Sequence, residues 1–250
     1  MPVFGSGPQS GNGMQQHNIQ GGAFRFSAVR PEELGAAEYT LVTIVTDTTG
    51  SVAGFESTLR DAVVDAVKAC GKSPRADNLL VRFVTFNTDI QEEHGFKTLR
   101  QINPQQDYAP FRCDGMTALY DAVKESISAT NAYAKILMDH DFDVNGIVFI
   151  VTDGMDNRSR FGRPDVAQAI RRVKQDEYLE SLLVILIGVN ADECSHWLDE
   201  FHKEAGLSQY VDIRDFDAAK GAKLAEFISK STSAQSQSLG TGGGSELLTF

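Results

Sequence analysis

The sequence predicts an α/β fold: a doubly wound, mainly parallel six-stranded sheet with helices on both faces and one antiparallel edge strand. Short apolar, β-branched runs alternate along the chain with segments of helical periodicity. The runs are nearly continuous rather than alternating, which is typical of strands buried on both faces. Parallel strands joined by helical segments require right-handed crossovers, and these place helices on both faces of the sheet.

The strands are recognised by runs rich in Val, Ile, Leu, Phe and Thr. The clearest run, Thr40 to Thr46, is followed by a helical pattern that includes Leu59, Val63 and Val67 and stops at Gly71. The predicted strands are 39–46, 79–86, 92–99 (the edge strand), 146–152, 182–189 and 209–213. The predicted helices are 55–70, 117–140, 164–177, 194–205 and 218–231.

Composition divides the chain into three parts. Residues 1–34 begin with Gly, Gln, Ser and Asn and predict a flexible arm, and residues 35–231 form the folded domain. Residues 232–250 are rich in Ser and Gly and predict a tail. The tail has an apolar end, which suggests a contact with a partner protein in a larger complex. The residues of that end are Leu247, Leu248 and Phe250.

The charge balance excludes several classes of protein. Lys and Arg number 23 against 34 Asp and Glu, so the formal net charge is −11, and nucleic-acid binding is not expected. No apolar run approaches the roughly 20 residues that cross a bilayer, and the chain start does not resemble a signal peptide. We therefore expect a cytoplasmic protein without a membrane partner. The isolated histidines His17, His94 and His140 are expected at the surface.

Oxygen-bearing side chains gather where predicted strands end. Asp47, Thr49 and Ser51 follow the first strand, Asp153 follows the 146–152 strand, and Thr117 precedes the long helix. If those two strands are neighbours, two carboxylates and three hydroxyls converge on one point. Hard oxygen donors favour Mg²⁺, Mn²⁺ or Ca²⁺. Each cluster taken alone also fits an ordinary helix cap or turn, so the joint arrangement is what predicts a metal site.

Further residues in the same turns are candidates for supporting the site. Gly50 would relieve the bend after the first strand. Asp114 and Gly115 precede Thr117, and Asp156 and Asn157 follow Asp153. We expect these residues to brace the loops rather than to hold a metal ion.

The residues resemble a known family. Asp-Thr-Thr-Gly-Ser after a buried strand, then Asp-Gly-Met-Thr-Ala-Leu-Tyr-Asp, then Val-Thr-Asp-Gly-Met-Asp-Asn, are similar to the motifs of the von Willebrand factor type A domain. The resemblance covers residues 38–231. It implies a metal-ion-dependent adhesion site. Its ligands would be Asp47, Thr49, Ser51, Thr117 and Asp153.

The resemblance also implies how the site would act. Thr49 stands where the family usually has Ser, which keeps the hydroxyl and adds a methyl group. A carboxylate from a partner protein would complete the coordination of Mg²⁺ or Mn²⁺. The leading hypothesis is therefore a metal-dependent protein-binding module of bacterial or phage stand-alone type.

Two other classes compete with this hypothesis. One is a scaffold subunit of a bacterial stress-response or defence complex, bound through its tails beside an AAA+ ATPase or kinase and phosphatase partners. The other is an enzyme, which we do not expect. A haloacid dehalogenase-type phosphatase needs Asp where Thr49 stands, an aspartic protease needs Gly one residue before Gly50, and no phosphate-binding loop is present.

Overall fold

A computed structural model describes residues 13–19 and 24–250, whose strands form one eight-stranded sheet. The strands are β1 (Met14–Asn18), β2 (Arg25–Val29), β3 (Glu38–Asp47), β4 (Leu79–Phe86), β5 (Ile90–Thr98), β6 (Asp143–Thr152), β7 (Leu182–Val189) and β8 (Gln209–Ile213). Their order across the sheet is β1-β2-β5-β4-β3-β6-β7-β8.

The sheet is mainly parallel, as the sequence predicts. Strands β4, β3, β6, β7 and β8 run parallel to one another, whereas β5 is antiparallel to β4. The six predicted strands are all present. However, β5 is not the edge of the sheet, because β2 pairs with its outer side and β1 pairs antiparallel with β2.

Helices cover both faces of the sheet and confirm the doubly wound architecture. They are α1 (Glu56–Cys70), α2 (Pro104–Asp107), α3 (Leu119–Met138), α4 (Arg163–Asp176), α5 (Ser195–Ala205) and α6 (Ala218–Thr241). One apolar core joins the sheet to α3, α4 and α5, and a second joins its opposite face to α1 and α6. In the described part of the chain, no helix has the length and apolar character needed to span a membrane.

The segment predicted to be a flexible arm contributes two strands, so the boundary at residue 35 is wrong. Phe26 and Ala28 are fully buried in the core. Ser27 also anchors β2, because its N–H and its hydroxyl both donate to Glu92, whose carboxylate pairs with Arg82. The remainder of that predicted arm, residues 1–12 and 20–23, lies outside the described residues.

The boundary predicted at residue 232 is also wrong, because α6 continues to Thr241. Ser and Gln side chains face the sheet there and are held by hydrogen bonds. Gln235 is fully buried and donates from Nε2 to the carbonyl of Gly146 at 3.1 Å and to the Ser181 hydroxyl at 2.9 Å. Hydrogen bonding to strand ends thus permits burial of side chains that a hydrophobicity pattern assigns to a tail.

The apolar end of the chain lies on its own domain. Leu248 packs against the core that α1 and α6 cover, and its carbonyl accepts a 2.9 Å hydrogen bond from Gln209 Nε2. The Phe250 ring meets Phe227 of α6 edge-on, with 5.8 Å between ring centroids. Leu247 and Phe250 remain 45% and 43% exposed. The segment predicted to bind a partner is therefore engaged, in part, within the chain itself.

His94, expected at the surface, is buried inside β5. Its Nε2 lies 3.0 Å from the Tyr108 hydroxyl and its Nδ1 lies 2.9 Å from the carbonyl of Gly95. Burial lowers the pKa of His94 to about 4. The prediction failed because Tyr108 and Phe83 pack against the imidazole and cover the face of β5 on which it lies.

Candidate metal centre

The candidate site lies where β3 and β6 end side by side. These strands are parallel neighbours, with Thr46 opposite Val151. The chain leaves β3 toward β4 on one side, whereas β6 leads to β7 on the other. Such a reversal of strand order opens a crevice at the carboxyl ends of the strands, which is where α/β folds bind ligands.

Asp47, the last residue of β3, is fully buried and fixed at both carboxylate oxygens. Its Oδ1 accepts a 2.9 Å hydrogen bond from the backbone N–H of Thr49, so the turn after the strand folds back on its own carboxylate. Its Oδ2 accepts a 2.7 Å hydrogen bond from the hydroxyl of Thr152 on β6. The carboxylate is therefore oriented before any ligand arrives.

The two hydroxyls of the first turn reach the second carboxylate. Thr49 Oγ1 and Ser51 Oγ lie 3.1 Å apart, and the Ser51 hydroxyl donates to Asp153 Oδ1 at 3.0 Å. Thr49 is buried, Asp153 is half-buried and Ser51 is exposed. The structure thus brings Asp47, Thr49, Ser51 and Asp153 to one point with an open side.

Thr117 lies beside this group, in the second loop, which leads into α3. Its N–H donates to Asn157 Oδ1 at 2.8 Å, and its carbonyl accepts from the Asn157 N–H at 3.0 Å, so the two loops clamp each other. Its hydroxyl faces the end of β6, since a Cβ placed on Gly154 would lie 4.0 Å from Thr117 Oγ1. The buried Thr117 side chain therefore sits beside the loop that carries Asp153.

The electrostatics of the cluster favour a cation. Burial raises the pKa of Asp47 to about 6, and the neighbouring Asp153 carboxylate adds to the shift. Burial also raises the pKa of Asp153. In the described part of the chain, neither carboxylate pairs with Lys, Arg or His, so their negative charge is not offset by a side chain. A divalent cation among these hard oxygen donors would offset it.

The donor types limit which metal sites are present. Within residues 13–19 and 24–250, no three His, Cys, Asp or Glu side chains form a potential metal cluster. The candidate centre has two carboxylates, and the other three donors would be hydroxyls. This chemistry suits a hard ion such as Mg²⁺ and differs from the thiolate and imidazole sets of structural zinc.

Asp156 and Asn157 brace the site, as their positions suggest. Asp156 accepts hydrogen bonds from the N–H of Tyr120 at 3.1 Å and the N–H of Ser159 at 3.2 Å, which ties the third loop to the first turn of α3. Asn157 forms the clamp on Thr117. These side chains hold the loops at a fixed distance from each other.

Asp114 lies in the second loop but faces another neighbour. Its Oδ1 accepts from Asn87 Nδ2 at 2.9 Å, and its Oδ2 pairs with Arg112 at 2.8 Å. Its backbone N–H donates to the carbonyl of Thr48 at 3.1 Å. Asp114 therefore links the loop to the first turn through its main chain.

Of the two glycines in these loops, Gly50 is not required by its backbone conformation, whereas Gly115 is. Gly50 has no positive φ, and a Cβ there would meet no atom within 4 Å, so the bend does not require glycine. Gly115 has φ +78°, and a Cβ there would lie 2.6 Å from the Thr88 hydroxyl. The position that only glycine fits is thus Gly115.

Three supporting residues were missed by the sequence reasoning. Thr152 orients Asp47, Asn87 holds Asp114, and Asp121 accepts from the N–H groups of Arg160 and Phe161 at 3.0 Å each. Thr152 and Asp121 stand inside the quoted motifs, so their polar character amid apolar neighbours was the available signal. Asn87 had none, because its contact depends on the loop conformation.

Comparison with known proteins shows likeness at the level of structure. No family model matches the sequence, and no curated protein matches it. The PilB minor pilin from Streptococcus sanguinis superposes with a TM-score of 0.58 at 17% identity, over 84% of this chain and 64% of the pilin. Mussel byssus proximal thread matrix protein 1, solved with a zinc-occupied MIDAS motif, gives 0.54 at 17% identity, over 79% and 46%.

A third solved structure extends the comparison. The ArnB paralog VWA2 from Sulfolobus acidocaldarius superposes with a TM-score of 0.50 at 11% identity, over 79% of this chain and 46% of that protein. In all three cases this chain matches less than two thirds of the other protein's length. At these identities the likeness concerns the fold. The chain therefore has a von Willebrand factor type A-like fold.

Proposed function

We propose that this chain is a metal-dependent protein-binding module. It holds a divalent cation with five side chains and captures an Asp or Glu of a partner protein. The observation that carries the proposal is the convergence of two carboxylates, which have no cationic partner among the described residues, with two hydroxyls at the carboxyl ends of β3 and β6. The Thr117 side chain lies beside the loop of the second carboxylate. The five side chains are Asp47, Thr49, Ser51, Thr117 and Asp153.

The residues of the site have different roles in this proposal. The two carboxylates provide the charge, and Thr152 and the Thr49 N–H keep Asp47 in place. When bound, the cation would supply a Lewis acid for a partner's carboxylate. The exposed Ser51 and half-buried Asp153 leave that side open to solvent.

The surroundings of the site suit a protein surface. Met116 and Met155, one in each neighbouring loop, are each 47% exposed. Methionine side chains are flexible and polarizable and adapt to varied partner surfaces. The net charge of −11 supports a protein partner over nucleic acid.

The preferred ion in this proposal is Mg²⁺ or Mn²⁺, because every proposed ligand is a hard oxygen donor. The mussel matrix protein was solved with zinc in its MIDAS motif, so zinc is included among the ions to be tested. We also propose that the chain binds its partner without transforming it. The five side chains include no imidazole, thiol or amine, and both carboxylates are committed to the cation.

Titration of the metal-free full chain with Mg²⁺, Mn²⁺, Ca²⁺ and Zn²⁺ in a calorimeter tests ion binding. We expect saturable binding that the Asp47→Ala variant loses. Partner capture is tested with the wild-type chain in Mg²⁺, with the wild-type chain in a chelator, and with the Asp47→Ala variant in Mg²⁺. We expect capture only by the wild-type chain in Mg²⁺. Unchanged capture in all three would remove the metal from the mechanism.

The alternative, a scaffold that binds through its tails, gains no support from the contacts of the C-terminal end. Leu248 is engaged by Gln209 and the apolar core, and Phe250 by Phe227. Deleting residues 245–250 separates the two functions. Under our proposal this deletion leaves metal-dependent capture intact.

A further inference from the structure

A cleft of about 800 Å³ opens beside the candidate metal centre. It lies between the ends of β4 and β5 and the loop that runs from Ala109 to Gly115. The metal-binding proposal makes no use of it.

Part of the cleft wall is apolar. Pro110 and Phe111 line it, and Phe111 packs on the buried ring of Phe83 with 5.9 Å between ring centroids. The N–H of Phe111 donates to Glu56 of α1 at 2.8 Å, which fixes this wall to the domain. The wall would therefore accept an aliphatic or aromatic group without rearrangement.

The remaining wall is acidic. Asp89, Glu93 and Asp114 line the cleft, and Arg112 is the only cationic residue among the described residues that line it. Arg112 pairs with Asp114 at 2.8 Å. Glu93 accepts a 2.6 Å hydrogen bond from the Thr85 hydroxyl, but among the described residues neither it nor Asp89 has a cationic partner. Two carboxylates in the cleft thus lack counter-charges.

The cleft and the metal centre share a wall. Thr48 lines the cleft and lies between Asp47 and Thr49 of the metal turn. Its carbonyl accepts the N–H of Asp114, and its hydroxyl donates to the carbonyl of Phe86 at 3.1 Å. An extended peptide advances about 3.3 Å per residue, so one short segment reaches both places.

We infer that the cleft holds a Lys or Arg side chain of the same partner segment whose carboxylate the metal centre captures. An aliphatic stem against Pro110 and Phe111 with a charged head near either Glu93 or Asp89 satisfies both walls. The acidic lining would repel an acidic side chain. This inference rests on the proposed function and specifies its partner: an acidic residue with a basic residue within about three positions.

Selection from a random peptide library on the immobilised full chain in Mg²⁺, with elution by chelator, tests the inference. We expect eluted peptides enriched in an acidic residue and in a Lys or Arg near it. The double variant Asp89→Asn/Glu93→Gln should keep the acidic enrichment and lose the basic one. A matched control, Glu32→Gln/Glu226→Gln, removes the same charge away from the cleft and should keep both.

The outcomes separate this inference from the function on which it rests. Acidic enrichment without basic enrichment overturns the cleft assignment and leaves metal-dependent capture standing. Absence of chelator-eluted peptides overturns both.

Affinity measurements on an enriched peptide provide a second readout. Replacing its basic residue by Met should weaken binding about fivefold to the wild-type chain, and less at high salt. The same replacement in the peptide should leave its affinity for the Asp89→Asn/Glu93→Gln variant unchanged. Equal weakening in both proteins would overturn the assignment.

Discussion

Thr152 Oγ1 donates a 2.7 Å hydrogen bond to Asp47 Oδ2 and so ties together the ends of β6 and β3. Both side chains are buried. Because the Thr49 N–H holds the other carboxylate oxygen, Asp47 has a single orientation fixed by its own strand turn and by the neighbouring strand. The site is thereby preorganised, which lowers the entropic cost of binding a cation.

Asp47→Asn distinguishes the effect of the buried charge on stability from its role in metal binding. Without metal, we expect the variant to be more stable than the wild type by about 1 to 3 kcal/mol at neutral pH, because burial and Asp153 disfavour the Asp47 carboxylate. The Thr152 hydroxyl can turn to accept from the amide. Metal should stabilise only the wild type. Urea unfolding with and without Mg²⁺ checks both expectations.

The control for that experiment is Asp61→Asn, whose side chain is 69% exposed on α1. It should change stability by less than about 0.5 kcal/mol and keep the response to Mg²⁺. If the metal-free Asp47→Asn variant were less stable than the wild type, the Asp47 charge would not destabilise the metal-free fold, and the expectation would be wrong.

Thr117→Val removes one proposed ligand and preserves the shape of the side chain. The clamp on Asn157 uses the main chain of Thr117, so we expect the metal-free melting temperature to change little. Metal affinity should fall about tenfold or more, because loss of even a residue that only supports a ligand typically costs about 10- to 100-fold. Thermal melts over a Mg²⁺ series measure this. Thr40→Val, a buried hydroxyl without a hydrogen-bond partner in the described structure, is the matched control and should retain affinity.

His94 gives the fold a pH dependence. Its folded pKa is about 4 against an ordinary 6.5, because burial disfavours the imidazolium. The unfolded chain therefore binds the extra proton as pH falls below 6.5, and stability is lost down to about pH 4. At pH 5 we expect a loss of about 2 kcal/mol from this group. Urea unfolding of wild type and His94→Gln at pH 7 and pH 5 should show a smaller loss in the variant; equal losses would contradict it.

The C-terminal end contributes stability through its own domain. Leu248→Ala should lower the free energy of unfolding by about 1 to 2 kcal/mol, because Leu248 packs on the apolar core. Leu247→Ala is the control, since Leu247 is 45% exposed and should cost less than about 0.5 kcal/mol. Equal costs in chemical denaturation would contradict the packing described here.

Local patterns predicted much of this structure, because apolar runs and strand-end polar clusters are local signals. β4, β7 and β8 have the predicted bounds. Parallel pairing of β3 with β6 then brings Asp47 and Asp153 together. What the sequence left open depended on non-local partners. Ser27 needs Glu92 to anchor β2.

The C-terminal half of α6 illustrates the same limit. Gln235 is buried because the carbonyl of Gly146 and the Ser181 hydroxyl lie opposite, and neither is visible in the local sequence. A Ser- and Gln-rich segment is therefore assigned to a tail by composition, although the fold buries it and accepts both hydrogen bonds that Gln235 Nε2 donates. The burial of His94 was missed for a similar reason, since Tyr108, which covers the imidazole, lies 14 residues further along the chain.

The peptide of Thr48 belongs at once to the metal turn and to the cleft wall, and its carbonyl holds Asp114. If a cation and a cleft ligand change each other's affinity through this peptide, the effect is reciprocal. The factor by which a bound cation raises the affinity for a cleft ligand equals the factor by which that ligand raises the affinity for the cation. A change in the affinity of the chain for the cation would then report that a ligand occupies the cleft.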